Sequence, residues 1–344
     1  MIRVRPLSPW QDPRGGQIER VYIDNGTIAM EVISLGGIIR SLWVPNNAGD
    51  RGNVVLGCDN AEDYLQQQAH LGAIAGRYAN RIAGARMQYQ GQDYALSNNH
   101  QSNCLHGGEQ GFNRKNWHMG VLPDGVRLSL LSPDGDMGFP GNCNVQLDYR
   151  LVGNNLYVEI FAATDKACPI SLTQHSYFNL GGILATSNQQ HQIQINASQC
   201  LALNQEGIPY DVNDVEGSIL DLRQPQCLGS RQQASELAST NGYDHCYLLE
   251  GNSDELTKAA VLSEASQGRS MTLYTNQPSV QLYGANFLAG TPGRKGKQLQ
   301  SHQGVCLEPQ QLPDGPNQSD LPGKPWVEPN ECYHHISRYQ FDTF

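Results

Sequence analysis

Charge is scarce in this chain of 344 residues: Lys, Arg, Asp and Glu together make up 16%, against roughly 25% in an ordinary domain. No run of Lys or Arg occurs and the formal net charge is −10, which argues against nucleic acid and membrane surfaces as partners. The same acidic balance argues mildly against a phosphorylated substrate. No apolar stretch approaches the roughly 20 residues a membrane span needs. Nor does an apolar segment of signal-peptide type follow Met1-Ile2-Arg3-Val4-Arg5-Pro6, so the cytoplasm is the expected location. The nine cysteines (Cys58, Cys104, Cys143, Cys168, Cys200, Cys227, Cys246, Cys306 and Cys332) are odd in number and contain no Cys-x-x-Cys pair. A disulfide framework or zinc ribbon is therefore not expected, and most of these thiols read as small buried hydrophobes. A strand-linked Gly-x-Gly-x-x-Gly is missing, as are His-x-His and His-Glu-x-x-His; neither a dinucleotide cofactor nor a metal is expected.

What the chain does have is strand-like alternation. Ile28, Met30 and Val32 alternate with Ala29 and Glu31; Val126, Leu128 and Leu130 with Arg127 and Ser129; Val145, Leu147, Tyr149 and Leu151 with Gln146, Asp148 and Arg150. Ile193 and Ile195, Met271 and Leu273, and Val280, Leu282 and Tyr283 continue the habit. Each run is short, rich in β-branched or aromatic residues, and bounded by turn formers. Gly153-Asn154-Asn155 reads as a hairpin turn. Helical signals are confined to 61–68, opened by Asn60 as N-cap, and 231–239. With 36 Gly and 18 Pro and no repeat or long linker, the expectation is all-β: one large antiparallel β-sandwich over residues 1–344 with a few short helices.

Four segments are dense in polar groups of defined geometry. Gly76-Arg77-Tyr78-Ala79-Asn80-Arg81-Ile82 places an amide and two guanidiniums, fixed donors suited to a polyol, in one stretch. Leu105-His106-Gly107-Gly108 sets an imidazole beside glycines that allow close backbone approach. In Thr173-Gln174-His175-Ser176-Tyr177-Phe178-Asn179-Leu180, a strand would turn His175 and Tyr177 to one side and Ser176 to the other. In the fourth, Gly304–Asn317, Glu308 ends an apolar strand before a Pro-rich loop. Gly242-Tyr243-Asp244-His245 and Val280-Gln281-Leu282-Tyr283 add a carboxylate and an amide. Taken singly, each reads as readily as a structural loop or a half-buried strand.

Together, in this order, they resemble the aldose 1-epimerase (galactose mutarotase) family nearly end to end, from Leu35-Gly36-Gly37 to Leu307–Asn317. The resemblance implies the family's supersandwich fold and a cofactor-free isomerase that interconverts the α and β anomers of free hexoses such as galactose and glucose. It implies Glu308 as general base and His175 as general acid, with Asn80, Arg81, His106, Ser176, Tyr177, Asp244 and Gln281 around a small-molecule aldose, in a monomer or homodimer. Opposite charges in one pocket would keep Glu308 ionised and His175 protonated. Departures are modest: Gln174 and Ser176 stand where Asn and Thr are expected, Pro309 where Thr is expected, and Cys246-Tyr247 where Asn-Phe is expected. A glycoside hydrolase using Asp244 and Glu308 and a non-catalytic carbohydrate-binding module are the alternatives.

Overall fold

The structure, a computed structural model, describes residues 2–251 and 255–344. Its largest element is a nine-stranded antiparallel sheet. The strands His118–Leu122, Gly125–Ser132, Cys143–Val152 and Asn155–Thr164 follow one another, and Tyr333–Thr343 then carries the C-terminal segment into the middle. Arg269–Thr275, Thr257–Glu264, His191–Ile195 and Gln226–Cys227 complete it. The alternating residues set its inner face: Val145, Leu147, Tyr149 and Leu151 are buried, as are Leu156, Val158 and Ile160 on the next strand. Fully burying one such side chain contributes about 1.5–3 kcal/mol, and Leu147→Ala would cost about 2–5 kcal/mol. The hairpin at Gly153 forms as expected: Val152 pairs with Asn155 across a two-residue turn, and Gly153 takes φ 59°. That left-handed conformation is the reason a glycine serves there.

Two five-stranded sheets pack against this layer. The first is built from Arg3–Gln11, Gln17–Asp24, Ala29–Ile33, Ile38–Pro45 and Arg51–Asn53. Alternation is not the whole pattern in it, because every residue of Ala29–Ile33 is buried. Glu31, expected on an outer polar face, is instead covered and held by Arg20 at 2.8 Å and Arg40 at 2.7 Å. Buried carboxylates require such partners. The second sheet runs in the order Pro209–Asp214, Gln199–Leu203, Asp244–Leu248, Ser279–Tyr283, Cys306–Gln310. Its last strand is an edge, which is why Pro309 is tolerated inside it. Glu308 therefore lies within a strand rather than at the end of one. A single core cluster joins all three sheets, from Val21 to Phe341.

The helix after Asn60 spans Ala61–Gln66, and Asn60 Oδ1 accepts from the Asp63 N–H at 2.9 Å. The second expected helix divides into Leu228–Arg231 and a 3₁₀ turn over Ser235–Thr240, separated by Ala234 in extended conformation. So short a segment has little intrinsic helical stability, and the two pieces are fixed by inserting Leu228 and Leu237 into the core.

Candidate active site

Register explains how the pocket is assembled. In the second five-stranded sheet, Gln281 lies opposite Cys246 on one side and Glu308 on the other; Tyr283 lies opposite Asp244 and Cys306. Residues two apart on a strand share a face, so Asp244, Gln281, Cys306 and Glu308 all project from the same side. Gln281 Nε2 donates to Asp244 Oδ1 at 2.6 Å. This wall is regular strand, and its polar tips are mostly acceptors.

His175 arrives on the chain that runs beside that edge. Phe178 and Val305 exchange both backbone hydrogen bonds at 2.8 Å. Counting three residues along each antiparallel chain sets His175 opposite Glu308 and, two pairs nearer the bridge, Tyr177 opposite Cys306. The outcome is His175 Nε2 3.6 Å from Glu308 Oε2, both side chains almost wholly covered. The other ring nitrogen, Nδ1, lies 3.6 Å from Cys306 Sγ. The Tyr177 ring stacks on His175 with centroids 5.1 Å apart.

The opposite wall is made of loops. Arg81 and Ile82 pair with Leu105 and Cys104, which brings Asn80 beside His106. The His106 N–H donates to Asn80 O at 3.0 Å, and the Asn80 N–H donates back to His106 Nδ1 at 3.2 Å. The His106 proton is thereby placed on Nε2. Both residues adopt left-handed backbone, with φ 65° at Asn80 and 51° at His106, which costs a non-glycine residue about 1–2 kcal/mol. Arg81 forms no ion pair among the described residues, and its buried Nε has no partner. His70 also belongs to this wall: its ring centroid is 4.7 Å from that of His106 and 5.9 Å from that of His175, and its buried Nδ1 is unpartnered.

Burial decides the electrostatics. It pushes Glu308 well above the usual carboxylate range, helped by the charge of Asp244. It pushes His175 down to about 4 and His70, with neighbouring cations, to about 3. His106 falls well below its ordinary value for the same reason, with His70 and His175 adding to the effect. The expected ionised Glu308 facing a protonated His175 is thus not the arrangement that burial favours. Desolvation penalises both charges, pushing the carboxyl up and the imidazole down.

Several expected contacts change character. Tyr177 donates its hydroxyl to Ala69 O at 2.8 Å and is 2% exposed; it braces His175 rather than offering a free hydroxyl. Ser176 is buried with an unpartnered Oγ. Gly107 and Gly108 pack on protein: a Cβ on Gly107 would lie 2.0 Å from Gly76 O, and one on Gly108 2.6 Å from Ser97 Cβ. Of the two guanidiniums at 77 and 81, Arg77 turns inward to the carbonyls of Ser132, Pro133 and Pro140. His70 and Cys306 were not singled out from the sequence. His70 sits in an unremarkable polar stretch, whereas the parity of Cys306 with Glu308 was a usable signal.

His175, Cys306 and Glu308 bring possible ligand atoms within 4.8 Å of one another, with Nδ1 of the imidazole toward the thiol and Nε2 toward the carboxylate. Beside His70 a polar cavity of about 760 Å³ opens, lined also by His100, Asn98, Asn99, Gln110 and Arg114.

The layered antiparallel architecture and the buried pair at its edge define a galactose mutarotase-like β-sandwich. A solved galactose 1-epimerase structure from Lactobacillus acidophilus superposes with a TM-score of 0.86 at 24% identity, covering 100% of this chain and 99% of that one. An aldose epimerase homologue from C. elegans gives 0.85 at 24% identity, with 93% and 97% covered. The chain belongs to the aldose 1-epimerase family, whose model matches residues 19–340, and is thus an isomerase-class enzyme. Among curated relatives, the galactose mutarotase of Homo sapiens is 39% identical over 331 residues, 96% of this chain and 95% of that protein. The aldose 1-epimerase of Escherichia coli is 36% identical over 323 residues, 92% and 93% respectively. Among the described residues, no helix is long and apolar enough to cross a membrane.

Proposed function

We propose that the chain, acting as one unit over residues 1–344, interconverts the anomers of free hexoses such as galactose and glucose, with Glu308 as general base and His175 as general acid. The observation that carries this reading is the 3.6 Å separation of His175 Nε2 and Glu308 Oε2 inside a covered polar pocket. Glu308 removes the proton of the C1 hydroxyl, His175 delivers a proton to the ring oxygen, and the C1–O5 bond opens. Rotation about C1–C2 and reclosure with both transfers reversed gives the other anomer. Carboxylic acid and neutral imidazole are what the pair becomes at the open-chain aldehyde, and this is the distribution burial favours. The pocket thus lowers the energy of the midpoint, and sugar hydroxyls donating to the carboxylate favour the ionised starting form. Because one proton is shared, the pH–rate profile is bell-shaped and reports the pair, not either residue.

Around this pair Asp244, tethered by Gln281, accepts from sugar hydroxyls, while Asn80, Arg81 and the Nε2–H of His106 donate. No oxidation state changes, so the chemistry calls for neither cofactor nor metal. Nine free cysteines suit a reducing cytoplasm. Polarimetry of freshly dissolved α-galactose and α-glucose tests the proposal: the expected result is accelerated relaxation that Glu308→Gln slows by about 10²–10⁴-fold. A wild-type rate equal to buffer, or release of phenol from aryl glycosides instead, contradicts it.

A further inference from the structure

A catalytic imidazole is usually fixed by a carboxylate or carbonyl oxygen on the nitrogen that does not react. His175 has neither. Its Nδ1 faces Cys306 Sγ at 3.6 Å, in a place where thiol and ring are both covered. Cys306 is two residues before Glu308 on the same strand face, so sulfur and carboxylate address the two nitrogens of one ring. We propose that Cys306 is the positioning residue for His175: its sulfur accepts the Nδ1–H and reserves Nε2 for proton exchange.

This rests on the acid role given to His175 above. Nε2–H passes to the ring oxygen, the C1–O5 electron pair goes to that oxygen, and Nδ1 keeps its proton throughout. The thiol stays neutral, since burial beside Glu308 and Asp244 raises it well above the usual thiol range. A neutral sulfur is a weak acceptor. It orients the ring while stabilising the imidazolium less than a carboxylate would, which keeps His175 a strong acid. A protonated Glu308 facing Nε2 fits the same tautomer, because its O–H needs an unprotonated ring nitrogen. The other groups around the ring are the imidazoles of His70 and His106 and the phenol of Tyr177. No Arg, Lys or second carboxylate contacts it among the described residues.

The test reads the tautomer directly. In protein carrying ¹⁵N-histidine at pH 7.5, the His175 signals are those lost in His175→Gln. The expected wild-type pattern is a protonated Nδ1 and a bare Nε2, retained in Cys306→Ser and lost in Cys306→Ala. A protonated Nε2 in the wild type overturns the proposal, and does so whether or not the protein turns over any sugar. Kinetically, Cys306→Ala and Cys306→Val lower kcat about threefold to tenfold, the scale of one neutral hydrogen bond, with KM within twofold. Cys306→Ser restores kcat and moves the acid limb of the pH profile upward. Full kcat in Cys306→Val would show that volume alone matters and overturns the assignment.

Discussion

The two walls of the pocket are built by opposite means. Asp244, Gln281 and Glu308 stand on regular strands, where ladder register fixes their spacing and strand parity fixes their direction. Asn80 and His106 stand on loops, held in left-handed backbone by reciprocal hydrogen bonds to each other. The strand wall carries no backbone strain and gathers acceptors; the loop wall is strained and gathers donors. Polyol recognition needs both, and a flat sheet supplies one polarity readily because cross-strand neighbours present like positions. Opposing polarity has to be folded over it from elsewhere.

The largest expected effect falls on the strand wall. Glu308→Gln lowers kcat by about 10²–10⁴-fold, the usual worth of a positioned proton-transfer group, with the protein still folded because burial already favours a neutral side chain there. Full activity in that variant would show that the carboxylate is not the base. Acid titration comes next and sets the walls against each other. His70 and His175 hold fewer protons folded than unfolded, since burial takes them from the ordinary 6.5 to about 3 and about 4. Their stabilising contribution is present above pH 6.5 and declines as the pH falls toward those values. Once below its folded value, His175 has cost on the order of 3 kcal/mol. Glu308, raised by burial, acts with the opposite sign: its contribution is complete at low pH and is lost as the pH rises through its folded value. Urea midpoints should therefore fall between pH 7.5 and 5, and fall less in His70→Gln. A flat profile would mean that these imidazoles are solvated.

Asp244→Asn probes the join between recognition and catalysis. It should raise KM about tenfold, the effect of losing one charge-assisted hydrogen bond, and shift the acid limb of the pH profile downward, because the charge helping to hold Glu308 up is gone. An unmoved limb would separate Asp244 from the catalytic pair. The smallest effect dissects the loop wall. Asn80→Gly and Asn80→Ala should raise KM alike, but only Ala should destabilise the fold, by about 1–2 kcal/mol, for its φ of 65°. Equal melting temperatures would remove strain from the account.

The strand wall was the more legible one. Alternation around Val280–Tyr283 announced a strand, and Asp244 and Glu308 stood out as carboxylates in aromatic, apolar surroundings. Even so, Glu308 was read as a strand terminus, because Pro309 is incompatible with a central strand and nothing local reveals an edge. The loop wall was legible only through the Gly76–Ile82 and Leu105–Gly108 motifs and their resemblance to a family. That Arg77 turns inward while the Arg81 guanidinium lies beside Gly207 has no local signal. His70 acquires its place from packing on His106 and His175, residues 36 and 105 positions away in the chain.

By itself the sequence determined the strand-rich architecture, through a period-two pattern that only a pleated surface can bury on one side. It offered Glu308 and His175 as the proposed acid–base pair only through the resemblance of several segments, taken in order, to a family. Tertiary structure alone decided the protonation of that pair. A carboxyl and an imidazole keep their ordinary values in water, and it is the exclusion of water by the folded chain around Glu308 and His175 that moves both toward neutrality.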